Sequence, residues 1–350
     1  MDRIRPRLGN DNYPLVDYAK FFFCICIVAL HTNVLNAILP ETASYFISQV
    51  LFRLAVPYFF VATGFFLGEK WKEKNDQGRR TALISFCIRL ARPLVVFEAV
   101  NILIPFVQVL NEPKEVIIAF LLRELKHALF YPNGALWYVQ ACIVAALVLY
   151  LLQKAPFPIC VILCGGGFLF ALLNNTYFFV IEGTPAAEFI NGYMSICISA
   201  RNGLFVGFPF MFIGMCLSNR GNDSVNRRLF WLWLSALLIL LAETAYTKDK
   251  AYLDDHSMYL SLLLVTPILF LWTISYCNVG RDGTSLHFRH LSAGIYFVHR
   301  AVIQVLSLVL NRVGMQSNEL ILFSLTVGLS CLICEIAYHS GNKRIVELFR

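Results

Sequence analysis

Apolar residues run along this chain in blocks too long for a soluble fold, each closed by a short polar or helix-breaking stretch. Set against the ~20 residues a helix needs to cross a bilayer, the blocks predict ten spans. They cover 14–39, 44–68, 81–109, 134–153, 157–181, 192–218, 228–247, 257–279, 290–312 and 317–339. The breaks fall at Pro40, the charged run Glu69–Arg80, Asn111–Pro113, Pro156–Pro158 and Gly280–Gly283. Between Glu112 and Tyr131 the pattern changes. Glu112, Lys114, Glu115, Arg123, Glu124 and Lys126 alternate with Val116, Ile117, Phe120, Leu121 and Leu125, which predicts an amphipathic helix in the membrane interface. The expected fold is therefore all-α, a polytopic integral membrane protein of about ten transmembrane helices plus one interfacial helix. It forms a single integral domain over 1–350 with no alignable repeat.

Composition agrees and narrows the class. The chain is 58% hydrophobic and 15% charged, with a mean hydropathy of +0.65, too little charge to coat a soluble domain of this size. The net charge of +7 points to no nucleic acid, because the cations collect in alternate loops. One set holds Arg3, Arg5, Arg7, Lys70, Lys72, Lys74, Arg79, Arg80, Arg89, Arg92, Lys154, Arg220, Arg227, Arg228, Arg281, Arg289, Lys343, Arg344 and Arg350. The other holds only Lys114, Arg123, Lys126, Lys248, Lys250 and Arg312. Cations favour the cytoplasmic side, so a multi-pass protein of the cell membrane with both termini cytoplasmic is expected. Asp17 and Lys20 make the first apolar block too polar for a cleavable leader, and none is expected. The cysteines fall mostly inside predicted spans, as at Cys24, Cys26, Cys142, Cys277 and Cys334, where thiols serve as small packing residues rather than metal ligands.

Titratable groups inside the spans then direct attention to chemistry. Phe21 to Leu30 carry no polar side chain except the two thiols, yet Asp17 and Lys20 precede them and His31 follows. Lys20 and His31 are eleven positions apart, about three turns at ~3.6 residues per turn, so they share a helix face about 16 Å apart along the axis. Asp17 lies on that face too and could pair with Lys20. Ionisable groups within a span are costly and mark pathways or reaction sites. An imidazole titrating near neutrality suits a general base or an acyl-accepting nucleophile, the role expected of His31. Arg89 and Arg92 sit one turn apart at the start of the third span, placed either to chelate a phosphate together or to anchor the helix. Arg53, Glu98, Arg201 with Asn202, His299 with Arg300, and Glu335 are expected to face a central cavity and pair among themselves. In that scheme His31, Arg53 and Arg201 lie in the outer half and His299 in the inner half. Asp254-Asp255-His256 reads as a substrate rim or as a solvated helix start.

Together these residues resemble the acyltransferase family 3 membrane proteins over nearly the whole chain. Asp17, Lys20 and His31 occupy the positions of that family's first-helix acid, arginine and histidine. Val56-Pro57-Tyr58-Phe59-Phe60-Val61-Ala62-Thr63-Gly64-Phe65 is similar to its second-helix run. Arg89 and Arg92 match its paired arginines, Leu136-Trp137-Tyr138-Val139 its Leu-Trp-Phe-Leu motif, and Ser292-Ala293-Gly294-Ile295-Tyr296-Phe297-Val298-His299 its late Ser-x-x-Ile-Tyr-x-x-His. Lysine at position 20 departs from the pattern, keeping the charge without the planar bidentate fork of arginine. Arg201-Asn202-Gly203-Leu204-Phe205 and Asp255-His256-Ser257-Met258-Tyr259 are also similar to segments in the membrane domains of vancomycin-resistance serine racemases. Those domains belong to the same family, and no racemase domain is expected after Arg350.

The resemblance implies an O-acyltransferase that moves an acyl group, usually acetyl, from cytoplasmic acyl-CoA to a hydroxyl of a cell-envelope carbohydrate or related polar acceptor. It implies acyl-CoA as co-substrate with no bound cofactor and no metal. His31, Asp17 and Lys20 would form the catalytic group, and Arg89, Arg92 and Lys20 the donor site. Arg53, Glu98, Trp137, Arg201, Asn202, Tyr296 and His299 would line the acceptor cavity. The alternative is a transporter of a small polar solute such as L-serine.

Overall fold

The first helix opens on Pro14, whose fixed φ and missing N–H suit a helix start, and ends at Thr32 where Asn33 turns left-handed at φ 54°. From there helices account for most of the described residues in a computed structural model. It describes residues 13–349 apart from 220–226, 276–282, 313 and 315–317. The cations Arg3, Arg5, Arg7, Arg220, Arg281 and Arg350, and Cys277, lie outside the described residues, as does most of the break expected at Gly280–Gly283.

Twelve helices carry the architecture among the described residues. They are α1 (Pro14–Thr32), α2 (Glu41–Trp71), α3 (Asp76–Val109), α4 (Lys114–Phe130), α5 (Trp137–Leu151) and α6 (Phe157–Leu173). After them come α7 (Pro185–Cys197), α8 (Gly203–Ser218), α9 (Arg227–Thr247), α10 (Leu262–Ile274), α11 (Gly283–Arg312) and α12 (Glu319–His339). No strand occurs among the described residues. Six of these helices, α1, α2, α3, α9, α11 and α12, are long and apolar enough to cross a membrane, and α5, α6, α8 and α10 are shorter apolar helices. The chain is a multi-pass membrane protein. The segment expected to lie in the interface forms α4, which buries Phe120 and Glu124 and leaves Val116, Ile118, Leu121, Leu122, Leu125 and Leu129 exposed.

Small residues set the tightest packing. A Cβ added at Gly64 of α2 would stand 2.0 Å from the carbonyl oxygen of Met211, and one at Gly214 of α8 would stand 2.0 Å from that of Val61. The two helices thus meet backbone to backbone, the close approach that glycine permits between membrane helices. Around them one core gathers Tyr58, Phe60, Phe168, Phe210, Leu240, Tyr259, Phe270 and Ile295.

Several expected spans end early, each for a polar reason. The span over 192–218 is two helices: α7 stops at Cys197, Ile198 takes φ 70°, and the Asn202 side chain then accepts from the N–H groups of Leu204 (3.0 Å) and Phe205 (3.2 Å) to start α8. The span over 157–181 ends at Leu173 because Asn174, Asn175 and Thr176 turn inward to bond with neighbours. The span over 257–279 starts only at Leu262, the preceding residues serving the polar loop described below. Conversely, α11 reaches back at least to Gly283 rather than 290.

Polar contacts gather at two opposite ends of the bundle. At the Lys20 end, Lys72 donates to the Ser218 carbonyl and Arg79 to Gln153 (3.4 Å). At the His31 end, Phe179 N–H donates to Ala251 (3.0 Å), Leu253 N–H to Asn175 (3.3 Å), and Arg53 to Asp255 (3.2 Å).

Candidate functional site

The side chains of α1 address α11. Asp17, 2% exposed, accepts from Arg289 Nε at 2.8 Å and Nη2 at 2.9 Å. That bidentate pair corrects the expectation of an Asp17–Lys20 contact: a guanidinium fork matches a carboxylate better than an ammonium does. Lys20 turns instead toward Phe66, with Nζ 5.0 Å from the ring centroid, and into a cavity of about 360 Å³. Lys20, Lys70, Arg89 and Arg289 line that cavity together with Thr63, Tyr138, Cys142 and Tyr296, and Phe59, Phe66 and Phe86 wall it. No carboxylate is among its lining residues within the described part of the chain. The Thr63 and Tyr138 hydroxyls share a hydrogen bond of 3.0 Å at its edge. Lys20, Lys70 and Arg89 over aromatic walls, beside an Arg289 already paired with Asp17, suit a polyanion carrying an apolar arm.

Arg92 does not join Arg89 there. It is largely exposed and pairs with Glu347 at 3.2 Å. One turn along α3 separates the two guanidinium groups by about 60° around the axis, enough to put one in the cavity and the other outside it.

Tyr296 connects this cavity to His31. It lines the cavity, donates its hydroxyl to the Ala135 carbonyl, and sits 6.0 Å, ring to ring, from His299. His299 is fully buried, with Nδ1 3.0 Å from the Ile295 carbonyl oxygen. That oxygen only accepts, so Nδ1 carries the proton and Nε2 presents a lone pair; Nε2 is buried without a partner. His31 stacks on His299 with centroids 5.4 Å apart and planes at 28°. The expectation that His299 lies in the opposite half is corrected. With α11 starting at or before Gly283, His299 sits about 24 Å along it, level with His31 about 26 Å along α1, at ~1.5 Å per residue.

Beyond His31 lies an ion-pair hub. Asp255 Oδ2 accepts from Arg53 (3.2 Å) and Arg201 (3.1 Å), and its Oδ1 from Asn175 (3.0 Å). Asp254 accepts from Arg201 Nε and Nη2, both at 3.2 Å, and from Ser199 (2.8 Å). Arg201 also covers the rings of Tyr131 (5.4 Å) and Trp137 (5.9 Å), which stack on each other. Arg53 and Arg201 each enter from a break in a helix, next to π-helical turns at Ile47–Leu51 and Gly203–Gly207. Burial raises the Asp255 carboxyl, but Arg53 and Arg201 outweigh it and hold it well below the usual carboxylate range. Burial likewise pushes His256 below its usual value. The Asp254-Asp255-His256 loop is thus a partly buried hub, not a solvated helix start.

The remaining expected residues serve other ends. Glu98 finds no arginine; it accepts from the backbone and side-chain amide of Asn133, all at 3.1 Å, and Asn133 also reaches Glu124 (2.8 Å). Asn202 caps α8 and donates to the Tyr193 hydroxyl (2.9 Å). Glu335 faces the surface between His287 (3.0 Å) and His339 (3.5 Å), not a central cavity. Sequence reasoning missed Arg289, counted only as a loop cation, and Thr63 and Tyr138, although both stand inside the motifs quoted for the resemblance.

The family profile described as acyltransferase domain matches residues 13–339, and the chain belongs to that acyltransferase-3 family. Among curated proteins it is similar to a serine/alanine racemase of Enterococcus gallinarum, 25% identical over 325 residues, covering 91% of this chain and 45% of that one. Two amino-acid racemases of Enterococcus faecalis are 24% and 22% identical, covering 78% and 94% of this chain and 37% and 46% of theirs. The chain therefore spans less than half the length of each of these relatives. No solved structure matches.

Proposed function

We propose that this protein is a membrane O-acyltransferase that takes an acyl group, acetyl in the simplest case, from cytoplasmic acyl-CoA and delivers it to a hydroxyl of a cell-envelope carbohydrate or other polar acceptor. The observation that carries the reading is the cavity of about 360 Å³ whose described lining holds Lys20, Lys70 and Arg89 and no carboxylate, with Tyr296 standing between it and the His31–His299 pair. Coenzyme A brings phosphates at the ribose and in the pyrophosphate, and a pantetheine arm that aromatic walls accommodate. Arg89, Lys20 and Lys70 hold the phosphates; the thioester extends toward His31. His31 then attacks the thioester carbon, the acyl–sulfur bond breaks, the imidazole proton goes to the departing thiolate, and an acyl-imidazole forms that the acceptor hydroxyl resolves as its own proton passes to the freed ring.

This reading sets the ten apolar helices of one integral domain as ten crossings of the cell membrane, with both termini and the Lys20 end cytoplasmic. The cation-rich loops favour that orientation. A second reading, transport of a small polar solute such as L-serine, is favoured by the similarity to racemases of amino acids and by the zwitterion-like hub of Arg53, Arg201, Asp254 and Asp255. The two separate in sealed liposomes. Radiolabelled acetyl-CoA supplied at the Lys20 face should release free coenzyme A and label an acceptor on the other side. Uptake of L-serine without consumption of acetyl-CoA would favour transport and defeat the enzyme reading.

A further inference from the structure

Of the three arginines around His31, two are ion-paired among the described residues and the third is not. Arg53 and Arg201 share Asp254 and Asp255, so two guanidinium groups meet two carboxylates. Arg300 follows His299 on α11 and, with Arg53 and Arg201, is one of the arginines acting on His31. Among the described residues no carboxylate pairs with it, and its Nε is buried without an acceptor. Its side chain lies against the backbone of Gly134, where an added Cβ would stand 2.5 Å from Arg300 Cγ and 2.8 Å from Nε. Gly134 holds φ +64° there, a conformation that glycine adopts without penalty. Beside it the Nε2 lone pair of fully buried His299 also lacks a partner.

A guanidinium held inside a membrane protein without a counter-charge is costly, and a fold retains it when an anion completes the site. We propose that Arg300 receives an anionic group, a carboxylate or a phosphoryl, on the ligand that docks at the His31 end, while the bare His299 Nε2 accepts from a hydroxyl of the same ligand. The acceptor is then a charged molecule rather than a neutral sugar. This rests on the reading of the His31 end as the acceptor side, and binding alone tests it without turnover. The group would meet Arg300 where its side chain crosses the Gly134 backbone, and the ion-paired hub of Arg53, Arg201, Asp254 and Asp255 would stay intact.

The test is thermal unfolding of the purified full-length protein with three probes at matched ionic strength: inorganic phosphate, galacturonate and galactose. Galacturonate and galactose differ only in the carboxylate, and phosphate represents the phosphoryl source. The midpoint should rise saturably with at least one anion and not with galactose; phosphate alone identifies a phosphoryl, galacturonate alone a carboxylate. Arg300→Gln should weaken that binding about ten- to hundredfold, the loss expected for charge-assisted hydrogen bonds, while Arg300→Lys retains part of it. Without probe, Arg300→Gln should unfold no lower than wild type, whereas Arg201→Gln, which breaks two ion pairs, should unfold lower. The proposal is overturned if neither anion protects the wild type, if galactose protects equally, or if Arg300→Gln keeps full protection. It is overturned equally if Arg300→Gln, like a structural ion-pair variant, unfolds early or fails to accumulate.

Discussion

At the scale of single residues, the proposed reaction puts the chemistry on His31 and divides the remaining work among the groups around it. His299 is fixed in one tautomer by the Ile295 carbonyl and turns a bare nitrogen into the site, while Asp17 holds Arg289 on the wall of the cavity. Loss of a general base or nucleophile typically costs 10²–10⁴-fold in rate. His31→Ala should therefore abolish acyl transfer while the protein still accumulates in the membrane, as assayed by acceptor labelling against immunoblot level; near-normal turnover would remove His31 from the mechanism. Of these residues, His31 and Lys20 were legible because a polar group in an apolar helix stands out. The Asp17–Arg289 pair was not, since 272 positions separate the partners and local spacing offered Lys20 first. Arg89 and Arg92 looked equivalent in sequence because spacing alone places them one turn apart without saying which faces the cavity.

At the scale of elements, glycine contacts and polar helix ends decide the geometry. Gly64→Val or Gly214→Val would drive a branched side chain into a neighbouring carbonyl and separate α2 from α8. Either change should collapse the yield of folded protein in size-exclusion chromatography, whereas Gly165→Val, which meets nothing within 4 Å, should not. The loop before α10 answers to pH. A carboxyl held below its ordinary range keeps its charge, and its contribution to stability, above the unfolded value of about 3.9 and loses it as pH falls further toward the folded value. Hydrogen exchange over 248–261, corrected for intrinsic rate, should stay constant from about pH 7 to 5 and quicken only below about pH 4. Asp255→Asn should quicken it already at neutral pH. Loosening near pH 6 would instead point to His256. The helices themselves were legible from apolar periodicity, but the breaks at Ser199–Asn202 and Asp254–Tyr259 were not. Hydropathy averaged over a span hides a few polar residues whose partners lie on other helices.

At the scale of the whole molecule, the cationic cavity, Tyr296, His299 and His31 follow one another through ring contacts along the bundle. The orientation of the bundle in the membrane has its own test. Single cysteines at Asn75 and Lys154 should be shielded from an impermeant thiol reagent in intact cells, and cysteines at Pro113 and Lys250 should react; the reverse pattern would put the cavity outside. The claim at the centre of the account is that the cavity is a receptor for acyl-CoA, and calorimetric titration of the purified protein with acetyl-CoA tests it most directly. Wild type should bind saturably. Arg89→Ala should weaken binding about ten- to hundredfold, in line with roughly 1.5–3 kcal/mol for a charge-assisted hydrogen bond. Arg92→Ala, which loses only an exposed pair with Glu347, should bind as wild type does. No heat of binding to the wild type, or equal losses in both arginine variants, would contradict the account.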